Sequence, residues 1–295
     1  MTPILMAVPN VSCGSDADLV RAIGGEYERH GAVLLNTHID PDHDRCVHTL
    51  AGRPGELAGA VAAGAAYAVS EIDLRRNRGV HPHVGVVDVA PIVHLQEGQR
   101  GAACAEALVL TDLLGRSGIS VITYGQLAQG RTRADVRRGG LAALIERIGA
   151  GEQRVDFGPA IPTVETGVSL VAARSVMVAF NLVMAAGVTV TQASGIAADV
   201  RENGRDGLPG VRALGFELES QGVVQVSANL ERPEEAGIRE LHERVSNSAP
   251  VSHGELIGLA PRAVLEAVPA ELSIPGLDRE RQSIEGCLRL HGIEI

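Results

Sequence analysis

Arg78-Gly79-Val80-His81-Pro82-His83-Val84-Gly85-Val86-Val87-Asp88-Val89-Ala90-Pro91 joins a polar, proline-punctuated turn to a run dominated by β-branched residues. The run reads as a buried strand extending over residues 84–93. Pro82 removes a backbone donor and biases His81 to extended geometry, so the imidazole is presented at a fixed angle. A histidine at the mouth of a rigid strand suits general-base chemistry, because its ordinary pKa lies near neutral pH. The competing reading is a histidine simply satisfied within a turn.

The pattern around this strand predicts the fold. Residues 3–11 read as a strand ended by Pro9-Asn10, and Ser15 or Asp16 caps a helix over 17–30 that stops at Gly31. Residues 32–37 and 46–51 read as the second and third strands. Pro54-Gly55-Glu56 opens an Ala- and Gly-rich helix to about 73, poor in charge and so tightly packed. Strand, helix, strand, strand, helix, strand is the split βαβ order of ferredoxin-like folds. A helix over 101–115, a strand over 119–124 and a helix over 135–148 follow. The small-residue break Gly149-Ala150-Gly151-Glu152 is the expected boundary between subdomains 1–150 and 151–295.

The second half repeats the order. It has an apolar strand region over 168–184, a helix over 188–202 and a hairpin of 211–219 with 223–230 around Ser220-Gln221-Gly222. A helix over 233–247 and a strand over 251–259 complete it. A short helix over 262–268 and a last helix over 279–291 close the chain. The expected class is α/β (α+β), two ferredoxin-like subdomains whose β-sheets face each other across a cleft.

Composition excludes several functions. The chain has 295 residues, 45% hydrophobic and only 2% aromatic, so its cores are packed from Ala, Val, Leu and Ile. It contains no Lys, which rules out a lysine Schiff base. A net charge of −10 leaves no basic excess for nucleic acid. Cys13, Cys46, Cys104 and Cys287 form no CxxC pair, which fits a reducing compartment. The start has no basic region before an apolar run, and no stretch approaches a membrane-spanning length. A cytoplasmic protein with no membrane partner is expected.

His38-Ile39-Asp40-Pro41-Asp42-His43-Asp44 packs two imidazoles and three carboxylates into seven residues. It reads as a polar active-site wall, as a zinc or manganese site with His38, Asp40 and Asp42 on one side, or as a solvated loop. The spacing matches none of the specific metal motifs. Gly204-Arg205-Asp206-Gly207-Leu208-Pro209-Gly210 lacks the Lys of a P-loop and the spacing of a dinucleotide fingerprint, and reads as a flexible loop. Asp156-Phe157-Gly158-Pro159 holds one of only three Phe beside a fixed turn; Phe157 faces a flat heterocycle or anchors a core.

These stretches together resemble one family. Val8-Pro9-Asn10-Val11-Ser12, residues 38–45 followed by Val47-His48-Thr49-Leu50-Ala51-Gly52, Gly79-Val80-His81-Pro82, Val84-Gly85-Val86-Val87-Asp88-Val89, Tyr124-Gly125, Asp156-Phe157-Gly158-Pro159, Val178-Ala179-Phe180-Asn181, Gly207-Leu208-Pro209-Gly210-Val211 and Glu255-Leu256-Ile257-Gly258-Leu259 look like the formiminotransferase domain of glutamate formimidoyltransferases. The resemblance covers nearly the whole chain in order. It implies two α/β subdomains in a homodimer that moves a formimino group from formiminoglutamate to tetrahydrofolate, the co-substrate, with no metal. It implies His81 as the base, with His38, Asp40 and Arg45 as candidates for orienting His81 or the donor. The folate segment it implies is Gly158-Pro159-Ala160-Ile161-Pro162-Thr163-Val164-Glu165-Thr166-Gly167. Bifunctional members carry a following cyclodeaminase domain, which a chain of this length is not expected to contain.

Five positions depart from the family pattern: Val80 and His83 flank His81-Pro82, Asn36 stands for an Asp, Asp44 stands for the Asn before Arg45, and Glu165 adds a carboxylate to the folate segment. Glu165 is expected to repel an anionic ligand unless paired, so a neutral or cationic imino or formyl donor is expected to suit the site. Two rivals stand beside the transferase: a metal-dependent hydrolase on residues 38–44 with His81 and His83, and a non-catalytic folate-binding or interaction protein.

Overall fold

The computed structural model describes residues 3–294. The chain divides between Ser175 and Val176 into two α/β units, each with its own core. In the first, β1 (Leu5–Ala7) and β2 (Asn10–Val11) are halves of one strand, interrupted at Val8-Pro9, where proline has no N–H for the ladder. α1 (Ala17–Arg29) is capped by Asp16, whose carboxylate accepts from the N–H groups of Asp18 and Leu19. β3 (Val33–Asp40) and β4 (Arg45–Gly52) form a hairpin, and α2 (Leu57–Glu71) crosses to β5 (Val87–Val89) and β6 (Ile92–His94), separated at Ala90-Pro91. β3 pairs with β4, β4 with β1 and β1 with β6, all antiparallel. That is the ferredoxin-like order expected from the pattern.

The sheet then grows. α3 (Arg100–Arg116) leads to β7 (Ser120–Thr123), and α4 (Arg133–Arg137) and α5 (Gly140–Gly149) lead back to β8 (Val168–Val171) and β9 (Ala173–Arg174). β8 runs parallel to β5 and β7, and β9 parallel to β6. The units therefore do not divide at Gly149-Ala150-Gly151-Glu152. Residues 151–167 are the return limb of a crossover, and β8 is hydrogen-bonded inside the first sheet on both sides. The apolar run 168–184 is shared between the units, because the β9 ladder stops at Arg174.

The second unit runs β10 (Val178–Met184), α6 (Val190–Val200), β11 (Val211–Leu218), β12 (Val223–Leu230), α7 (Ile238–Ser246) and β13 (Val251–Ile257). Its sheet order is β11-β12-β10-β13, antiparallel throughout, the same arrangement as the ferredoxin-like part of the first. α8 (Arg262–Glu266), α9 (Arg279–Gln282) and α10 (Ile284–Leu290) complete it. The helix expected over 279–291 is broken at Ser283, which is extended and caps α10 through its hydroxyl. The helix expected over 135–148 is broken at Gly139-Gly140, both at positive φ.

With few aromatics, the first core relies on close backbone approach. The fully buried Tyr27 lies on Gly64 of α2, where a Cβ would sit 2.2 Å from the ring. His48 of β4 is also fully buried, 5.3 Å from the Tyr27 ring centroid and with Nδ1 3.1 Å from Thr37 Oγ1. Burial lowers its pKa to about 4. Between there and the unfolded value near 6.5 the unfolded chain binds more protons, so stability is lost as pH falls through this window, by about 3 kcal/mol from His48 alone. Urea unfolding at pH 7.5 and 4.5 measures it: H48Q is expected to lose about 2–3 kcal/mol less than wild type on acidification. An equal loss in the variant would remove His48 as the cause.

Candidate active site

The β3–β4 register sets Asp40 opposite Arg45 and His38 opposite Val47, so His38, Asp40 and Arg45 stand on one face of the hairpin. Asn36 lies two residues back on the same face. β3 runs past the expected 32–37 through Asp40, and the turn shrinks to residues 41–44. Asp44 closes it at φ 41°. Its carboxylate accepts from the N–H groups of Gly14 (2.9 Å), Ser15 (3.0 Å) and Arg78 (3.4 Å). Burial raises the Asp44 pKa, but these hydrogen bonds outweigh it and the net shift is downward.

The same contacts hold the His81 loop. Asn77 Nδ2 donates to the carbonyls of Asp44 (2.8 Å) and Ser12 (3.2 Å), and its Oδ1 accepts from Gly79 N–H (3.0 Å). Val80 N–H donates to Asp42 O (3.2 Å). Gly79 passes so close to the turn that a Cβ there would lie 1.9 Å from His43 O. His81 is thereby delivered to Arg45, with Arg45 Nη1 2.6 Å from His81 Nε2. A guanidinium only donates, so Nε2 is the acceptor and the ring is neutral. Burial, then the charges of Arg45, Arg137 and His43, push the His81 pKa well below its ordinary value, against a backbone hydrogen bond at Pro82.

The His43 ring stands edge-on to His81, centroids 5.7 Å apart. Its Nδ1–H donates to Asp40 Oδ2, and its backbone N–H to Asp40 Oδ1 (2.9 Å). Burial raises the Asp40 pKa, but the hydrogen bonds and charge of His43 outweigh it and the net shift is downward. Asp88 of β5, 1% exposed, accepts from Val84 N–H (2.9 Å) and pairs with Arg137 of α4. Burial lowers the Arg45 pKa to about 10; Arg137 and Arg133 add to the effect, while Asp88 and Asp40 oppose it.

The segment from Gly158 to Gly167 rejoins the strand that His81 introduces. Val86 N–H donates to Thr166 O (2.9 Å) and Val168 N–H to Val84 O (2.7 Å). Pro159 O accepts from Ser120 Oγ (2.8 Å). Both end glycines have positive φ, and a Cβ would meet Ile119 O at 2.3 Å from Gly158 and Val84 O at 2.1 Å from Gly167. Gly167 is thus required by its approach to the neighbouring strand. Pro162 is buried, Thr163 Oγ1 and Thr166 Oγ1 are 2.9 Å apart, and Ala160, Ile161, Thr163 and Val164 remain at the surface. Glu165 Oε1 lies 2.9 Å from Arg75 Nη1. The carboxylate expected to repel an anion therefore carries its own cation, and Val80 is 49% exposed, where a missing acid leaves nothing buried unpaired.

Phe157 packs on the first core, and Asp156 accepts from Thr123 N–H and Oγ1, both at 2.7 Å, and pairs with Arg131. These two residues hold the loop. Among the described residues, no group of three or more His, Cys, Asp or Glu is placed to hold a metal ion. The 38–44 cluster is divided instead: Asp40 serves His43 and Asp44 serves backbone N–H groups. Asp88 and Arg137 were not singled out by sequence as site residues. A carboxylate inside a β-branched strand signals a buried partner, but that partner stands 49 residues away.

Comparison with known proteins matches the description "Formiminotransferase domain, N-terminal subdomain" to residues 4–174, and "Formiminotransferase domain" to residues 179–271. The formimidoyltransferase-cyclodeaminase of Sus scrofa is 32% identical over 287 residues, which are 90% of this chain and 52% of that protein. The chain thus spans about half the length of the bifunctional relatives it matches. The glutamate formimidoyltransferase of Thermoplasma acidophilum is 30% identical, covering 93% of this chain and 94% of that one. That of Streptococcus pyogenes is 27% identical, covering 98% and 99%. The two matched segments meet where the units divide, each falls on its own ferredoxin-like sheet, and the chain belongs to the formiminotransferase domain family.

Proposed function

We propose that this chain is a folate-dependent formimidoyltransferase of one-carbon metabolism, moving a formimino group from formiminoglutamate or a related donor to tetrahydrofolate as in histidine degradation. It acts as a cytoplasmic homodimer, with His81 as base. The observation that carries this reading is the neutral His81 imidazole, gripped by Arg45 and faced by His43, on a loop whose following strand is hydrogen-bonded to residues 166–168. When the folate nitrogen attacks the formimino carbon it becomes cationic. His81 takes its proton and returns it to the leaving amine nitrogen. Asp40 orients His43, and His38 shares the face of Asp40. Residues 158–167, with their exposed Ala160, Ile161, Thr163 and Val164, form the folate-facing surface. Arg45 and its neighbouring guanidinia suit donor carboxylates.

The charges around His81 favour an anionic donor over the neutral or cationic one expected from the sequence: Arg45 and Arg137 act on His81, Arg133 lies near Arg45, and Glu165 is paired with Arg75. Tetrahydrofolate titration followed by a donor screen tests the reading. Formiminoglutamate is expected to exceed uncharged formamidines in kcat/KM by about 10–100-fold, the value of a charge-assisted hydrogen bond, and Glu165→Ala to change it less than about threefold. Failure to bind tetrahydrofolate, or equal use of uncharged donors, would reject the function or its donor class respectively. Sedimentation equilibrium tests the dimer.

A further inference from the structure

We propose that Arg45 is a displaceable latch on His81: it occupies the accepting nitrogen of the imidazole until a carboxylate of the incoming substrate draws the guanidinium away. The inference rests on the transferase reading and specifies how the base is switched on.

The geometry makes two states mutually exclusive. A neutral imidazole has one in-plane lone pair, and at 2.6 Å Arg45 Nη1 has it. The other ring nitrogen, Nδ1, is buried and carries the proton. While Arg45 is engaged, His81 has no nitrogen with which to take a proton from a substrate, so a functioning base requires Arg45 to leave.

Nearby charges show what would draw it off. Arg45 comes from β4. Facing the same site are Asp40 from β3, His43 from the turn, Asp88 from β5, and Arg133 and Arg137 from α4. Both carboxylates are engaged elsewhere, Asp88 with Arg137 and Val84 N–H, Asp40 with both donors of His43. Arg45 makes no ion pair among the described residues, although it is half-buried and has two cations nearby. Its side-chain hydrogen bond to His81 is to a neutral acceptor. A carboxylate offers two ionised oxygens in a geometry that fits the guanidinium fork, and outcompetes a single neutral nitrogen. Once Arg45 turns to the substrate, His81 loses a cation and gains an anion nearby. Both changes raise its proton affinity. The base is released and strengthened by the same event, and only by an anionic substrate.

Histidine 13Cε1 NMR on the full chain tests this, with H81Q assigning the resonance. Glutarate supplies the dicarboxylate and glutaramide is its uncharged isostere. Glutarate is expected to move the His81 titration upward in wild type, and glutaramide to leave it in place. Arg45→Gln is expected to raise the ligand-free His81 titration, abolish the response to glutarate, and raise KM for formiminoglutamate about 10–100-fold. A His81 titration indifferent to glutarate in wild type overturns the latch and needs no variant. So does a glutarate shift that persists undiminished in Arg45→Gln, because the anion then acts without Arg45. Formimino transfer measured on the same samples separates the two claims. Transfer with His81 unmoved rejects the latch alone, whereas the expected shifts without transfer reject the transferase reading and leave the latch standing.

Discussion

Replacing His81 with alanine is expected to lower the rate of formimino transfer by about two to four orders of magnitude, the range for loss of a general base. The loop should survive the change, because Asn77, Asp44 and Gly79 hold it through backbone contacts that His81 does not supply. Tetrahydrofolate affinity should change little, since a base acts in the transition state. Single-turnover rates beside a folate titration separate the two effects, and wild-type turnover in H81A would end the assignment. The pH profile carries a second signature. His81 works as a base only when neutral, and its pKa in the free chain lies well below the ordinary value. The acid limb of kcat/KM should therefore fall below pH 6.5.

Asp88→Ala should destabilise the first unit by about 3–5 kcal/mol, the cost of stranding one partner of a buried ion pair. The Asp88 side chain is 2% exposed and that of Arg137 17%. Removing the carboxylate leaves the guanidinium enclosed and deprives Val84 N–H of its acceptor. It also takes from Arg45 the charge that most favours its protonated form. Exchanging both partners in D88A/R137M should recover much of the loss, because an apolar pair carries no unpaired charge. Urea unfolding measures both variants. A loss below about 1 kcal/mol in D88A, the range of exposed pairs, would show that water reaches the pair and that it has little weight in holding α4 over the site.

The sequence by itself determined the local elements and their order. Alternating β-branched runs, a capping Asp16 and the Ala- and Gly-rich α2 act within a few residues, so they are legible without a partner. His81 stood out as a candidate for the same reason, since Pro82 acts on its immediate neighbour. Only the tertiary structure decided that β8 belongs between β5 and β7 rather than after a boundary at 149–152. Strand neighbours are chosen by pairing and burial across the sheet, which a small-residue break does not reveal. It also decided that Asp40 serves His43, that Glu165 is met by Arg75, and that Arg137 reaches Asp88 while Arg45 takes His81. A charge carries no address in sequence; its partner is whichever group the folded backbone brings within reach, and burial sets how much that meeting is worth.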